Sequence, residues 1–123
     1  MLILLILILL VLNLFQNKKC SNSDKSEIIK TLIRQASRWS TASKQDENPM
    51  IALLHANYGA GYLWALKDIA TDTEIEKAMK IDIIMFRNEI VNVQDEAHIK
   101  VIRVCPQFAP QKSYLTKLAK EGI

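Results

Sequence analysis

A run of aliphatic side chains near the start of the chain constrains its fold more than any other feature. Residues 2–12 are all Leu, Ile or Val, and Leu14 and Phe15 extend the run past Asn13. At about 1.5 Å of helix rise per residue, residues 2–15 reach about 21 Å, whereas the hydrocarbon core of a bilayer is about 30 Å thick. The run predicts a membrane anchor over residues 1–17 that crosses only where the bilayer thins or flanking lysines snorkel. The residues predicted to contact lipid include Leu2, Leu5, Leu9, Leu12 and Phe15.

A cleavable secretory signal is the alternative to a retained anchor, because an apolar core of about 7 to 15 residues suits either. Signals carry positive charge before this core and small residues at a cleavage site. Here no Lys or Arg precedes Leu2, and Asn17, Lys18 and Lys19 follow Phe15 closely. These flanks favour a retained anchor. Because basic residues beside a span stay on the cytoplasmic side, they also predict a single-pass membrane protein whose C-terminal domain is cytosolic.

Basic residues crowd the segment behind the anchor. Positions 18–45 hold seven basic and two acidic residues, a net charge of +5, whereas the whole chain carries +3. Basic side chains close to a membrane attract anionic lipid, at about 1 kcal/mol each. An ordinary solvated helix face is the alternative for the residues beyond Lys25. Binding to the backbone of a nucleic acid is a further alternative, which the neighbouring membrane makes less favoured. The residues predicted to bind lipid or a partner are Lys18, Lys19, Lys25, Lys30, Arg34 and Arg38.

Cap residues and apolar spacing predict an all-α fold. A polar hinge at 18–24 separates the anchor from a single domain, residues 25–123. Asn48 before Pro49 is typical of a helix start, and Thr71 with Glu74 is typical of a capping box. No stretch alternates cleanly enough to predict a sheet. We therefore expect the N-terminal hydrophobic anchor to be followed by a small helical bundle of three long and two short helices. Their predicted ranges are Lys25–Ser43, Pro49–Ala70, Asp72–Met79, Ile83–Val104 and Ser113–Lys120.

The second long helix is apolar on nearly every side between Met50 and Leu66. Small residues recur within it at a spacing of four, which lets helices approach closely. A second membrane span is the alternative, but His55, Asn57 and the tyrosines would be costly in lipid, so the pattern favours the central helix of a bundle. Close helix packing is predicted at Ala52, Ala56, Ala60, Gly61 and Ala65.

The remaining polar residues form no recognisable catalytic, cofactor or metal motif. Asp95 and His98 have the spacing of three found in di-iron bundles, but the second copy that such a site needs is missing. His55 is expected to be a hydrogen-bonded core residue. Cys20 and Cys105 are too few to form a disulfide scaffold and are expected to be reduced, with palmitoylation of Cys20 as an alternative. We predict no cofactor and no metal.

Two segments are the most distinctive part of the sequence: residues 33–40, IRQASRWS, and residues 54–69, LHANYGAGYLWALKDI. Through these segments the chain resembles small uncharacterised membrane-anchored proteins encoded by large DNA viruses of algae and related marine viruses, and the resemblance covers most of the chain. The resemblance implies where the protein is located, but it implies no activity. Such viruses carry an internal lipid membrane under an icosahedral capsid, which anchored helical proteins of this size could bridge.

The expected function is that of a membrane-anchored, non-enzymatic interaction or structural protein, and the resemblance extends this to a virion membrane or minor capsid-associated component. Its expected partners are membrane lipid and a capsid or membrane protein. No small-molecule substrate is inferred. One alternative is a small helical enzyme or ligand-binding module that uses His55, Asn57 and Asp68, and another is a membrane-tethered nucleic-acid binder.

Overall fold

The computed structural model describes residues 1–109, without the side chains of residues 15–23. Over this range the chain is all-α, as predicted, and contains no strand. The helix predicted at Ser113–Lys120 lies outside the described residues. The helices are α1 (Leu2–Gln45), α2 (Pro49–Ile69), α3 (Asp72–Met79), α4 (Ile83–Val104) and a 3₁₀ helix at Pro106–Phe108.

The first helix, α1, is continuous for 44 residues. The predicted helix start at Lys25 is therefore wrong, and the residues predicted as a hinge, 18–24, belong to the helix. Ser23 and Asp24 are good cap residues, but a cap matters only where a helix ends. No Gly or Pro interrupts α1, and extending a helix fixes only one further residue for each hydrogen bond. The helix consequently runs from the apolar segment into the bundle without a break.

Side-chain caps begin the other α-helices, and those of α2 and α3 are the predicted ones. The side chain of Asn48 accepts hydrogen bonds from two amides in the first turn of α2, and Asp82 accepts one in the first turn of α4. Thr71 and Glu74 form a reciprocal capping box at the start of α3. At the other end of α3, Lys80 takes a left-handed conformation with φ 53°. This residue turns the chain from α3 toward α4.

The core lies between the C-terminal half of α1, α2 and α4, and α3 closes one end. Helices α2 and α4 run antiparallel, since Leu66 meets Ile83 near one end and Ala56 meets Ala97 near the other. The apolar side chains form three clusters along the bundle. These clusters contain Ile29, Ile33, Leu66, Ala70, Ile75 and Ile83; then Ala36, Ala60, Leu63 and Ile90; then Ala56, Val93 and Ala97.

Small residues bring α1 and α2 together. Ala52, Ala56 and Ala60 are all buried, with at most 1% of their surface exposed. The helices approach closely at Gly59, where an added Cβ would lie 2.3 Å from Ser40 Oγ and 3.1 Å from the carbonyl oxygen of Ala36. Only a glycine fits this position without a shift of the neighbouring helix.

Gly61 and Ala65 lie on the opposite side of α2 and are exposed. A Cβ added to Gly61 would meet no described atom within 4 Å. The close helix packing predicted at these two residues therefore does not occur within the described bundle. The two small-residue series are offset around the helix, so only one of them can face α1.

Candidate functional site

The N-terminal part of α1 exposes a continuous apolar surface. Its side chains from Leu2 to Val11, with Leu12 and Leu14, are 48–76% exposed. Burying an aliphatic side chain of this size is worth about 1.5 kcal/mol or more, so twelve of them are worth on the order of 20 kcal/mol. This surface is the strongest indication in the molecule of contact with lipid or with another protein.

The described part of the apolar helix is short for a membrane span. Leu2–Leu14 covers about 20 Å, against about 30 Å of hydrocarbon. Among the residues that the structure describes, no helix is both long and apolar enough to cross a membrane. The side chains of Phe15, Lys18 and Lys19, which the sequence assigns to the anchor and its flank, lie outside the described ones.

The predicted basic surface is partly engaged within the protein. Lys25 Nζ donates to Glu74 Oε1 at 2.7 Å, which ties α1 to α3, and Lys30 Nζ donates to Glu27 at 2.8 Å. These hydrogen bonds hold the pKa of each glutamate below its usual 4.5. Arg34 and Arg38 form no salt bridge with a described residue.

The continuous helix also fixes the distance of each basic residue from the apolar segment. Along a straight helix, Lys25 lies about 17 Å beyond Leu14, Arg34 about 30 Å and Arg38 about 36 Å. Charges in solution are screened over about 8 Å at physiological ionic strength. If the apolar segment lay in a bilayer with α1 upright, Arg34 and Arg38 would be too far from the lipid surface to be attracted by it.

An aromatic cluster joins α1 to α2 near the turn between them. The ring of Trp39 lies 5.0 Å from His55 and 5.2 Å from Tyr58, centroid to centroid. His55 Nδ1 lies 2.6 Å from Asp46 Oδ2, and both side chains are 23% exposed. His55 is thus hydrogen-bonded, as expected, but it is half-buried and secures the corner between the two helices.

The structure does not assemble the polar residues of the enzyme alternative. His55 and Asn57 are about 200° apart around α2, and Asp68 lies about 16 Å further along than Asn57. Asn57 Oδ1 accepts a hydrogen bond of 2.8 Å from Gln94, which joins α2 to α4. Among the side chains that the structure describes, no group of three His, Cys, Asp or Glu residues could hold a metal ion.

An exposed apolar face of α2 is the feature that sequence reasoning missed. We call it the outer face of α2. Because α2 is apolar all round, periodicity could not show which side the bundle would cover. Only Asn57 and Asp68 on this face carry an amide or a charge. It consists of Met50, Ile51, Leu54, Asn57, Tyr58, Gly61, Trp64, Ala65, Asp68 and Ile69.

A groove of about 380 Å³ opens on this face, lined by Trp39, Asn57, Tyr58, Gly61, Tyr62 and Ala65. Gly61 leaves its floor open, because it has no side chain. The groove is apolar and shallow, with aromatic rings along one side. It suits a bulky apolar side chain better than a polar metabolite.

Comparisons with protein family models, with characterised proteins and with solved structures find no match to this chain.

Proposed function

We propose that this protein is a membrane-anchored, non-enzymatic interaction protein. The N-terminal part of α1 inserts into a bilayer, and the helical bundle is held in the aqueous phase to contact a protein partner. The exposed apolar surface of α1 is the observation that supports this proposal. A cytosolic bundle follows from the lysines behind the anchor.

Two features of the bundle support a role in binding and not in catalysis. Its polar groups serve as helix caps and contacts between helices, as with Asp46, His55 and Asn57. Arg34 and Arg38, two of the cations that form no salt bridge with a described residue, lie in the half of α1 that is remote from the anchor. They would meet an acidic protein surface more readily than lipid.

A virion membrane beneath a capsid is the setting we propose, and only the sequence resemblance supports it. The dimensions are compatible with it, because about 46 Å of helix separates Leu14 from Gln45. The bundle could therefore reach a protein layer above the lipid. Proteins of purified particles, identified by mass spectrometry, would test the setting separately from the anchor.

Liposome flotation tests the anchor directly. The full chain is expected to float with neutral phosphatidylcholine vesicles and to stay bound at high salt, because apolar insertion is not screened. The variant Leu5→Asp with Leu9→Asp should lose at least about 90% of the floating protein, since each buried carboxylate costs about 2.5 kcal/mol or more in a membrane helix.

The matched control places the same charges on other exposed apolar residues. Ile84 and Met85 are 66% and 65% exposed on α4. Ile84→Asp with Met85→Asp should float as well as the unchanged chain. Flotation of the Leu5 and Leu9 variant, or release of the unchanged chain by salt, would refute the proposed insertion.

Protease treatment of sealed microsomes tests the orientation. The bundle is expected to be digested from outside, because the lysines behind the anchor favour the cytoplasmic side. Full protection of the bundle would place it in the lumen and contradict the cytosolic assignment.

A further inference from the structure

Two apolar surfaces of this chain have no partner among the described residues. One is the outer face of α2, on which Leu54, Tyr58 and Trp64 are 43–46% exposed. The other is the apolar segment of α1, residues 2–14, whose large side chains are 48–76% exposed. Scattered apolar residues need no explanation, but continuous apolar surfaces of this size mark contacts.

The two surfaces of one chain cannot meet each other. Gly59 lies against Ala36 and Ser40, so the groove beside Gly61 lies level with this part of α1. Ile8, at the centre of the apolar segment, is about 42 Å from Ala36 along the helix. Because α1 is one continuous helix, the segment cannot fold back onto its own groove. A second copy of the chain can supply the segment instead.

The groove has the length and the chemistry to hold this segment. Trp39 stands at its α1 edge, against the ring of Tyr58, and Gly61 leaves its floor open. Ile28 lies about 20° from Trp39 around α1 and is 51% exposed, so this edge stays apolar toward α3. The segment is about 20 Å long and α2 about 30 Å. No charged residue lines the groove, and residues 2–14 contain none.

A single two-fold axis brings both surfaces of both copies together. Two α1 helices that lie side by side and antiparallel, with the axis near residue 22, place Ile8 of each copy beside Ala36 of the other. Each groove then receives the other copy's segment along the boundary of α1 and α2. Because this contact is the same on both copies, it closes into a dimer and leaves no segment free to recruit further copies.

The area is sufficient for a stable dimer when the exchange is reciprocal. Half of the twelve large side chains of the segment can face the groove, at about 80 Å² each, which gives about 500 Å². The groove beneath the segment, about 20 Å long and about 10 Å wide, adds about 200 Å². Each copy thus buries about 700 Å², compared with about 800 Å² per partner in a stable interface.

We propose that, in the absence of lipid, two copies form an antiparallel dimer in which the apolar segment of each copy lies in the groove on the outer face of the other copy's α2. A bilayer competes for the same segments, so insertion separates the copies and uncovers both grooves. This release rests on the proposed anchor, whereas the dimer does not. The groove is then open to a protein partner only at the membrane.

Sedimentation of the full chain in buffer without lipid or detergent tests the dimer. We expect one dimeric species at micromolar concentration. Gly61→Phe should remove at least about 90% of the dimer, because the phenyl ring fills the groove while a side chain at this position meets open space in its own bundle. Asn92→Phe, on the exposed side of α4, is the matched control and should leave the dimer intact. Unchanged circular dichroism would show that both variants are folded.

Disulfide formation identifies the surfaces that meet. Cys20 and Cys105 are replaced by Ser, one chain carries Ala65→Cys in the groove, and the other carries a cysteine at one of positions 7–10, which together cover every side of the helix. The chains are mixed in detergent, the detergent is removed, and oxidised glutathione is added. We expect a disulfide between position 65 and one of positions 7–10, in at least about fivefold higher yield than with Asn92→Cys in place of Ala65→Cys.

Three outcomes would overturn the proposed dimer. Disulfides only between two copies of position 65 would mean that the α2 faces pack on each other. Disulfides only between two segments would mean that the segments cluster among themselves. A monomer, or a mixture of large aggregates, in place of the dimer of the unchanged chain would mean that no closed contact forms.

Phosphatidylcholine vesicles test the release. Vesicles added before the oxidant should lower the yield of the disulfide between position 65 and the segment about tenfold. An undiminished yield in chains that float with the vesicles would overturn the release. An undiminished yield in chains that do not float would instead refute the proposed anchor and leave the dimer standing, so the two failures are distinguishable.

Discussion

The two sides of α2 have similar apolar character but opposite surroundings. The inner side carries small residues, Ala52, Ala56 and Gly59, and α1 approaches it closely enough to exclude solvent. The outer side carries larger groups, including Leu54 and Trp64, and remains open in the described chain. Neither apolar character nor the spacing of small residues therefore decides which side of α2 is buried, because Gly61 and Ala65 on the outer side are exposed whereas Leu63 and Leu66 on the inner side are fully buried.

The largest expected effect comes from shortening a fully buried side chain on the inner side. Leu63 is 0% exposed and packs with Ala36 and Ile90. Leu63→Ala should lower the free energy of unfolding by about 2–5 kcal/mol, through lost burial and the cavity left behind. Ile69→Ala, at the exposed end of α2, is the control and should change it by less than about 0.5 kcal/mol. Urea unfolding of the full chain in detergent micelles, followed by circular dichroism, measures both; equal losses would remove the distinction between the two sides.

The two glycines give the next largest contrast. Gly59→Ala places a methyl group against Ser40 and the carbonyl of Ala36, and should destabilise the protein by about 1–3 kcal/mol. Gly61→Ala meets open space among the described atoms and should stabilise the helix by about 0.5–1 kcal/mol, because alanine loses less backbone entropy. Their melting temperatures should move in opposite directions. A fall for Gly61→Ala as large as for Gly59→Ala would show that the outer face is tightly packed.

A smaller effect is expected at the hydrogen bond between α1 and α2. Ser43 Oγ donates to the carbonyl oxygen of Ala52 at 2.7 Å, and Ser43 is only 2% exposed. Ser43→Ala should cost about 1 kcal/mol. Ser37 donates to Ile33 within its own helix and is half-buried, so Ser37→Ala is the control, with an expected change below about 0.5 kcal/mol. Thermal unfolding of the two variants side by side would decide whether the bond between helices matters.

The smallest effect is expected from acid at the end of the bundle closed by α3. The hydrogen bond from Lys25 lowers the pKa of Glu74 below 4.5 in the folded protein. Because this pKa is lower folded than unfolded, ionised Glu74 stabilises the fold at neutral pH, and the stabilisation is lost as the pH falls through 4.5 and below. Glu74→Gln should therefore lower the melting temperature at neutral pH and reduce its fall in acid. An identical pH profile in the variant and the unchanged chain would contradict the role of this contact.

The helix boundaries that depend on local chemistry could be predicted from the sequence. Asn48 with Pro49 and Thr71 with Glu74 satisfy exposed backbone amides within a single turn, so neighbouring residues alone decide the outcome. The orientation of α2 could not be predicted, because Gly59 and Gly61 are distinguished only by which one meets Ser40. That contact joins residues far apart in the chain.

The start of α1 was missed for a related reason. Ser23 and Asp24 are compatible with a helix end and also with a helix interior, at a difference of a few tenths of a kcal/mol to about 1 kcal/mol per residue. Nothing in their immediate neighbourhood, such as Gly or Pro, forces an end. The backbone hydrogen bonds of the helix continue before and after these two residues, and they outweigh so small a preference for a helix end.

The uninterrupted α1 also has a mechanical consequence. A hinge would let the bundle reorient independently of the anchor, whereas a continuous helix makes the two move as one lever. If the proposed anchor tilts by about 20° to match bilayer thickness, the end of a lever about 46 Å long moves sideways by about 16 Å. The position of the bundle above the membrane would then report the thickness of the lipid beneath it.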